Sequence, residues 1–238
     1  SDTLAEKYRG AHFPHTRLVA PPVAPEELEG VSLLLCTHGH TDHLDHGTIP
    51  GLERANPRMR VVTPASVRAK ALERGVEAKR LETIEAGEET ETVEGVRVRA
   101  VPAAHEERSL DEEGRHLFLG YLVSAGGLTL YHSGDTVPFS DLTSVVRAFE
   151  PDVCLLPVNG RDEERRSHGV AGNFTLEEAC EFTFQVGASY MIGHHFGMFG
   201  FNTIDPEVGR KTIAQLYPDR TDRLLLARMN TEYRLTRV

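Results

Sequence analysis

Nine consecutive residues, Thr37-His38-Gly39-His40-Thr41-Asp42-His43-Leu44-Asp45, hold three imidazoles and two carboxylates. Imidazole nitrogen and carboxylate oxygen are ligands for zinc, manganese and iron. In a loop, His38 and His40 can point to one side and hold one ion, while Asp42 and His43 lie further along and can serve a second. A helical zinc site would space its histidines one turn apart, as in H-E-x-x-H, and this pattern differs from that. The apolar run Val31-Ser32-Leu33-Leu34-Leu35-Cys36 stands directly before the cluster. Such a run, closed by polar Gly-containing sequence, reads as a buried strand ending in a loop. Open α/β sheets place their ligand sites at strand C-terminal ends.

Three further candidate ligands each follow a strand-like segment. They are His105 in Val101-Pro102-Ala103-Ala104-His105, Asp135 in Tyr131-His132-Ser133-Gly134-Asp135, and His195 in Ile192-Gly193-His194-His195. Alone, each is an ordinary polar residue. With the first cluster they supply ligands for two ions, and a carboxylate such as Asp135 can bridge both, as two-metal hydrolytic sites require.

On these residues the chain resembles the metallo-β-lactamase fold superfamily. His38-Gly39-His40-Thr41-Asp42-His43 matches its H-x-H-x-D-H signature, Ser133-Gly134-Asp135-Thr136 its bridging-aspartate segment, and His195-Phe196-Gly197-Met198-Phe199 its closing histidine segment. The resemblance covers nearly the whole chain. It implies a four-layer αβ/βα sandwich of α/β class with the metals at one edge. It assigns His38, His40 and His105 to one divalent ion and Asp42, His43 and His195 to the other, with Asp135 bridging. Zinc or manganese is the expected metal, and the donor chemistry also admits iron. Within the superfamily the chain is most similar to the L-ascorbate-6-phosphate lactonase branch, on Asp45, Leu156-Pro157-Val158-Asn159-Gly160-Arg161 and Ala171-Gly172-Asn173-Phe174-Thr175. The implied activity is opening of a phosphorylated sugar lactone by a hydroxide that two metal ions share, with Asp42 and Asp135 as catalytic carboxylates. Phosphodiester hydrolysis is the second reading, and a noncatalytic metal-binding relative the third. The resemblance also suggests a homo-oligomer.

The elements that must position these residues alternate along one domain, residues 1–238. Strands are expected at Val31–Thr37, Arg60–Thr63, Thr90–Val93, Val96–Pro102, Leu117–Ser124, Leu128–His132, Val153–Val158, Tyr190–Gly193 and Leu224–Ala227. Helices are expected at Thr48–Ala55, from Pro64 to about Glu73, and at Asp141–Phe149, Thr175–Val186 and Pro206–Leu216. Gly126-Gly127 signals a hairpin and Gly75 a helix stop. The fold usually opens with a strand pair, and none is evident before Val31. Either the sequence begins after that pair, as the absence of Met at position 1 also suggests, or another segment fills its place. An aspartate that would stand behind the motif histidines is then missing.

Composition narrows the partners. With 26 basic and 36 acidic residues the formal charge is −10, which disfavours a nonspecific nucleic-acid binder. No apolar run approaches the length needed to span a bilayer, and no signal peptide is visible. Cys36, Cys154 and Cys180 are scattered and odd in number, which reads as buried thiols in a reducing compartment, the cytoplasm by default. A small-molecule substrate is expected.

Neighbouring residues receive lesser roles. His194 would face away from His195, because consecutive strand side chains alternate, and is expected to pack behind the site. His132 is not expected to be a ligand, and His46 is expected to face solvent or hydrogen-bond. Asp45 could orient a ligand histidine or serve a helix N-terminus. Arg161 could clamp a phosphate from the charged stretch Arg161–His168, which otherwise reads as a solvated loop. Asn173 and Thr175 could cap the following helix or present its amides to an anion. Phe196, Met198, Phe199 and Phe201 read as pocket wall or subunit contact.

Overall fold

A computed structural model describes residues 3–235. The short helix α1 (Thr3–Lys7) opens them, and no strand precedes β1 (Leu33–Leu35) among the described residues. β1, β2 (Arg60–Pro64) and β3 (Leu81–Ile84) form a parallel three-stranded sheet in that order. The helices α2 (Ile49–Ala55) and α3 (Arg68–Glu73) lie in the connections between these strands. They bury Ile49, Leu52 and Ala71 against Cys36, Leu44, Met59 and Val61.

The second sheet begins as an antiparallel meander of β4 (Glu89–Val93), β5 (Val96–Pro102), β6 (Leu119–Ala125) and β7 (Leu128–His132). The helix α4 (Leu142–Arg147) leads to β8 (Val153–Pro157), and α5 (Glu163–Ser167) and α6 (Leu176–Gln185) lead to β9 (Tyr190–His194). Then α7 (Pro206–Leu216) returns the chain to β10 (Leu224–Leu226). β7 to β10 run parallel, and the seven strands lie in the order β10-β9-β8-β7-β6-β5-β4.

Alternation along the central strands builds the layers. Val98 and Ala100 of β5 and Leu119 and Tyr121 of β6 face the first sheet, where they bury Val62 and Ile84. Val101, Leu122 and Tyr131 face the other way, onto Leu142, Phe174, Ala179, Phe182 and Ile213 of the helical side. The order is helices, three-stranded sheet, seven-stranded sheet, helices, which is the four-layer αβ/βα arrangement the sequence suggested.

Direction places the site. β5 and β7 flank β6 and both run antiparallel to it, so they run parallel to each other and to β8 and β9. The segments after β5, β7 and β9 therefore leave the sheet at one edge. The β1 segment reaches that edge by crossing between sheets: Leu119 N donates to Thr37 O at 2.9 Å, and Tyr121 Oη donates to Cys36 O at 2.8 Å. That crossing shortens the expected Val31–Thr37 strand to Leu33–Leu35.

Other boundaries moved for local reasons. Pro64 ends β2 instead of opening a helix, and α3 starts only after the turn Ala65–Val67. β3 has only four residues, too few for an alternation of its own to mark it in the sequence. The Arg161–His168 stretch contains a helix, α5, whose N-terminus Asp162 caps by accepting from Arg165 N at 2.8 Å. Its acidic first turn and basic last turn are a helix signature, masked by the density of charge. Cys36, Cys154 and Cys180 are buried and unpaired.

Candidate metal centre

The motif loop is held by its own backbone and by one arginine. Leu44 N donates to His40 O at 2.9 Å. Arg74 Nη1 reaches the carbonyl oxygens of Gly39, His40 and Leu44 at 3.1, 3.1 and 2.7 Å. The His105 and Asp135 loops are joined: Ala104 N donates to Thr136 Oγ1 at 2.9 Å, and Val137 N donates to Ala104 O at 2.8 Å. Gly134 turns the chain with φ +64°. His195 also lies in the left-handed region, with φ +63°. A non-glycine residue there costs on the order of 1 kcal/mol. The turn sends the His195 ring toward Asp135 and leaves His194 beside His132, ring centroids 5.0 Å apart.

Asp135 is the hub. It is 4% exposed, and its Oδ2 lies 3.3 Å from His43 Nε2, 3.3 Å from His195 Nε2 and 3.9 Å from His105 Nε2. Asp42 Oδ2 stands 3.6 Å from His43 Nε2. Donor atoms of His38, His43 and Asp135 lie within 4.8 Å of one another, and so do those of Asp42, His43 and His195. His38, His40 and His105 gather as rings, with centroids 4.6, 5.2 and 5.8 Å apart. Phe118 packs against all three at 5.1, 5.6 and 5.4 Å. The structure thus brings all seven candidate ligands to one edge.

The electrostatics divide the histidines. Burial holds His38 and His105 below the usual imidazole range and His40 at about 4, so these rings are neutral near pH 7. Burial also works against charge on His43 and His195, but the Asp135 carboxylate overcomes it, raising His195 and holding His43 at about 9. Burial pushes the Asp135 carboxyl up, and His195 and His43 outweigh that and hold it well below the carboxylate range.

The donor set fits a divalent cation. His38 Nε2 and Asp135 Oδ1 are buried without a hydrogen-bond partner among the described residues. Unpaired buried polar atoms are expensive. A metal ion among neutral imidazoles and an ionised carboxylate would satisfy such atoms and replace the proton that His43 carries.

Of these residues His40, Asp42, His105, Asp135 and His195 floor a cavity of about 370 Å³. Its walls include Phe196, Met198 and Phe199, and also Lys7, Tyr8, His12, Phe13, His15, His168 and Asn202. The sequence reading missed the second group. The signal available was His12-Phe13-Pro14-His15, two imidazoles flanking an aromatic ring in an otherwise polar segment. Phe13 stacks on Phe201 at 4.9 Å, His15 on Tyr8 at 4.2 Å, and His12 on His168 at 3.8 Å.

The expected substrate residues lie elsewhere. Arg161, Asn173 and Thr175 are not among the residues lining this cavity. Arg161 forms a fork with Glu178 at 2.6 and 2.7 Å, which occupies the guanidinium edge a phosphate would need. Thr175 caps α6 through its hydroxyl and Glu178. Asn173 is fully buried and donates to Asn159 Oδ1 at 3.1 Å. Asp45 accepts from Thr3 Oγ1, Gly47 N and Thr48 Oγ1 at 2.8, 3.0 and 2.6 Å. Its hydrogen bonds among the described residues thus secure the entry to α2 and tie α1 to the motif loop. His46 is exposed.

Comparison with known proteins agrees with this geometry. A UPF0173 metal-dependent hydrolase from Saccharolobus solfataricus is 30% identical over 59% of this chain and 60% of its own length, so the matched part is under two thirds of that relative. Another from Pyrococcus furiosus is 30% identical over 82% of this chain and 80% of its own. The crystal structure of isothiocyanate hydrolase from Delia radicum gut bacteria superposes with TM-score 0.70 at 19% identity, covering 93% of this chain and 84% of that one. The family model described as beta-lactamase superfamily domain matches residues 4–196. The chain belongs to the metallo-β-lactamase superfamily, among relatives named metal-dependent hydrolases.

Proposed function

We propose that the chain is a metal-dependent hydrolase that opens a cyclic ester, with a phosphorylated sugar lactone such as L-ascorbate 6-phosphate as the substrate class suggested by the resemblance. One observation carries the reading: His43, His105 and His195 converge on buried Asp135 at the floor of a cavity of about 370 Å³. His38, His40, Asp42, His43, His105, Asp135 and His195 would hold two divalent ions, zinc or manganese, with iron as the third choice. Bound there, the ions would supply Lewis acidity toward the ester carbonyl and lower the pKa of water.

The chain's own residues supply the rest. Asp135, ionised and buried, holds His43 and His195 toward one point. Asp42, with its side chain 28% exposed, is the carboxylate of the site with solvent access. It takes the proton of the attacking water and returns it to the leaving alkoxide. Phe118 backs three imidazoles and keeps water from behind them. Beyond Asp42 and Asp135 no lining residue is acidic, while Lys7, His12 and His168 offer donors, so an anionic substituent is admitted. Three unpaired buried thiols suit a reducing compartment, the cytoplasm.

Elemental analysis of protein purified without added metal, paired with a panel of lactones and bis-p-nitrophenyl phosphate, tests the proposal. Wild type is expected to carry metal and to open lactones, and Asp135→Ala to lose both. Full metal content and full activity in Asp135→Ala would sink it. Hydrolysis of the phosphodiester alone would reassign the reaction.

A further inference from the structure

The cavity wall contains one side chain whose orientation is dictated from behind. Asn202 lines the same cavity as Asp135 and His195. It closes the turn from Phe199, donating its backbone N–H to Phe199 O at 3.1 Å. Its side-chain Oδ1 accepts two hydrogen bonds, from Arg165 Nη1 at 2.7 Å and from Asn159 Nδ2 at 2.6 Å. A guanidinium can only donate, so the atom facing Arg165 must be the amide oxygen, and the flipped amide is excluded.

The support behind that oxygen is itself fixed. Arg165 is 8% exposed. Its Nε donates to Asp162 Oδ2 at 2.5 Å, and its Nη1 also donates to Asn159 O at 3.1 Å. Asn159, 2% exposed, uses its own Oδ1 to accept from buried Asn173 at 3.1 Å. Every member of this chain of amides therefore has one allowed direction. Both lone pairs of Asn202 Oδ1 are taken. Its Nδ2 has no hydrogen-bond partner among the described residues, nor is it one of the buried unpaired atoms. Asn202 lines the cavity, and Nδ2 is the side-chain atom not committed to the residues behind it.

We propose that Asn202 is a specificity-determining residue whose Nδ2 donates to an oxygen of the substrate, on a substituent beside the ester that is opened. The acceptor is a hydroxyl, carboxylate or phosphate oxygen. A carbonyl-bearing wall would repel such a group, and the arginine behind Asn202 guarantees that a donor faces it instead. The inference rests on the reading of this cavity as the place of the substrate. It explains why a buried guanidinium and three asparagines converge where no ligand atom of the metal centre needs them.

Two variants and two measurements test it. Asn202→Asp keeps an oxygen against Arg165 and removes the donor. Asn202→Ala removes the donor without adding charge. The first measurement is calorimetric binding of gluconate and 6-phosphogluconate to the proteins as purified, which needs no turnover. Both variants are expected to bind about tenfold more weakly, the loss typical of one oriented hydrogen bond to a charged oxygen. Weakening for both probes identifies the hydroxyl or carboxylate as acceptor, and weakening for 6-phosphogluconate alone identifies the phosphate. The second is kinetics of the metal-loaded proteins. KM for glucono-δ-lactone should rise about tenfold with kcat within threefold, while unsubstituted γ-butyrolactone, which lacks the acceptor, is unaffected. Unchanged binding in both variants overturns the proposal, as does weakening confined to Asn202→Asp, which is charge repulsion alone. Failure of wild type to bind either probe overturns it too. If wild type binds the probes but opens no lactone, the proposed reaction fails while the role of Asn202 is still read from binding.

Discussion

At the scale of single residues, the centre sorts its histidines by proton affinity before any ligand enters. Burial holds His40 at about 4, and His132 beside the hub at about 4 as well. Both lie below the ordinary imidazole value of 6.5. Unfolding below that value lets such rings take up protons, so they make the metal-free fold less stable as pH falls from 6.5 toward 4. His43 works in the opposite sense. Raised to about 9, its protonated pairing with Asp135 contributes stability that is complete below 6.5 and lost as pH rises through 9. The melting temperature of metal-stripped protein is therefore expected to peak near pH 6.5 and to fall on both sides. Asp135→Asn should flatten the alkaline limb while leaving the acid limb in place. Differential scanning calorimetry in chelator from pH 4 to pH 9 checks this, and a melting temperature that climbs steadily to pH 9 contradicts it.

At the scale of elements, the turns after the strands do the positioning, and Gly134 is the tightest of them. It sits at φ +64°, and a Cβ there would fall 2.7 Å from Leu119 O and 2.9 Å from Thr37 Cβ. Neither is the end of a flexible side chain, since Leu119 O belongs to β6 and Thr37 carries the motif loop. Gly134→Ala is expected to cost about 2–4 kcal/mol, from the left-handed penalty together with overpacking. It should also weaken metal retention, because the Thr37 contact joins the Asp135 turn to the segment bearing His38. Chemical denaturation and metal analysis of the variant measure the two effects, and a stable variant with full metal would show that the turn has slack. The same elements show what the sequence could reveal. His38 to His43, His105, Asp135 and His195 were readable because ligand residues directly follow apolar strand runs. Asn202 was not, and His12 and His15 gave only the local signal of two imidazoles around an aromatic ring. Each earns its position from a distant partner, Arg165 for Asn202 and the Phe199–Phe201 turn for the N-terminal segment. Arg161 misled for the converse reason: local sequence placed it near the site, and Glu178, on the next helix, claimed it.

At the scale of the whole molecule, the candidate ligands come from both sheets. His38, His40, Asp42 and His43 hang from the three-stranded sheet, and His105, Asp135 and His195 from the seven-stranded one. The core between the sheets is small, built on Val62, Ile84, Val98, Ala100, Leu119 and Tyr121. A cation held by ligands from both sides therefore acts as a cross-link that exists only in the folded chain. Its binding energy adds to folding, about 2.7 kcal/mol when free metal is a hundredfold above its dissociation constant. For a domain of this size that raises the melting temperature by about 5–10 °C. The increase should come as one transition that moves upward as a whole, because ligands on both sheets must be in place at once. Asp135→Asn, which removes the hub but keeps its volume, should lose most of the shift. Titrating chelated protein with zinc or manganese while following its melting decides the matter. A metal that stabilises only one of two separable transitions would mean that the ligands of one sheet suffice to hold it, and the centre would then be two independent half-sites, not a single clasp between the sheets.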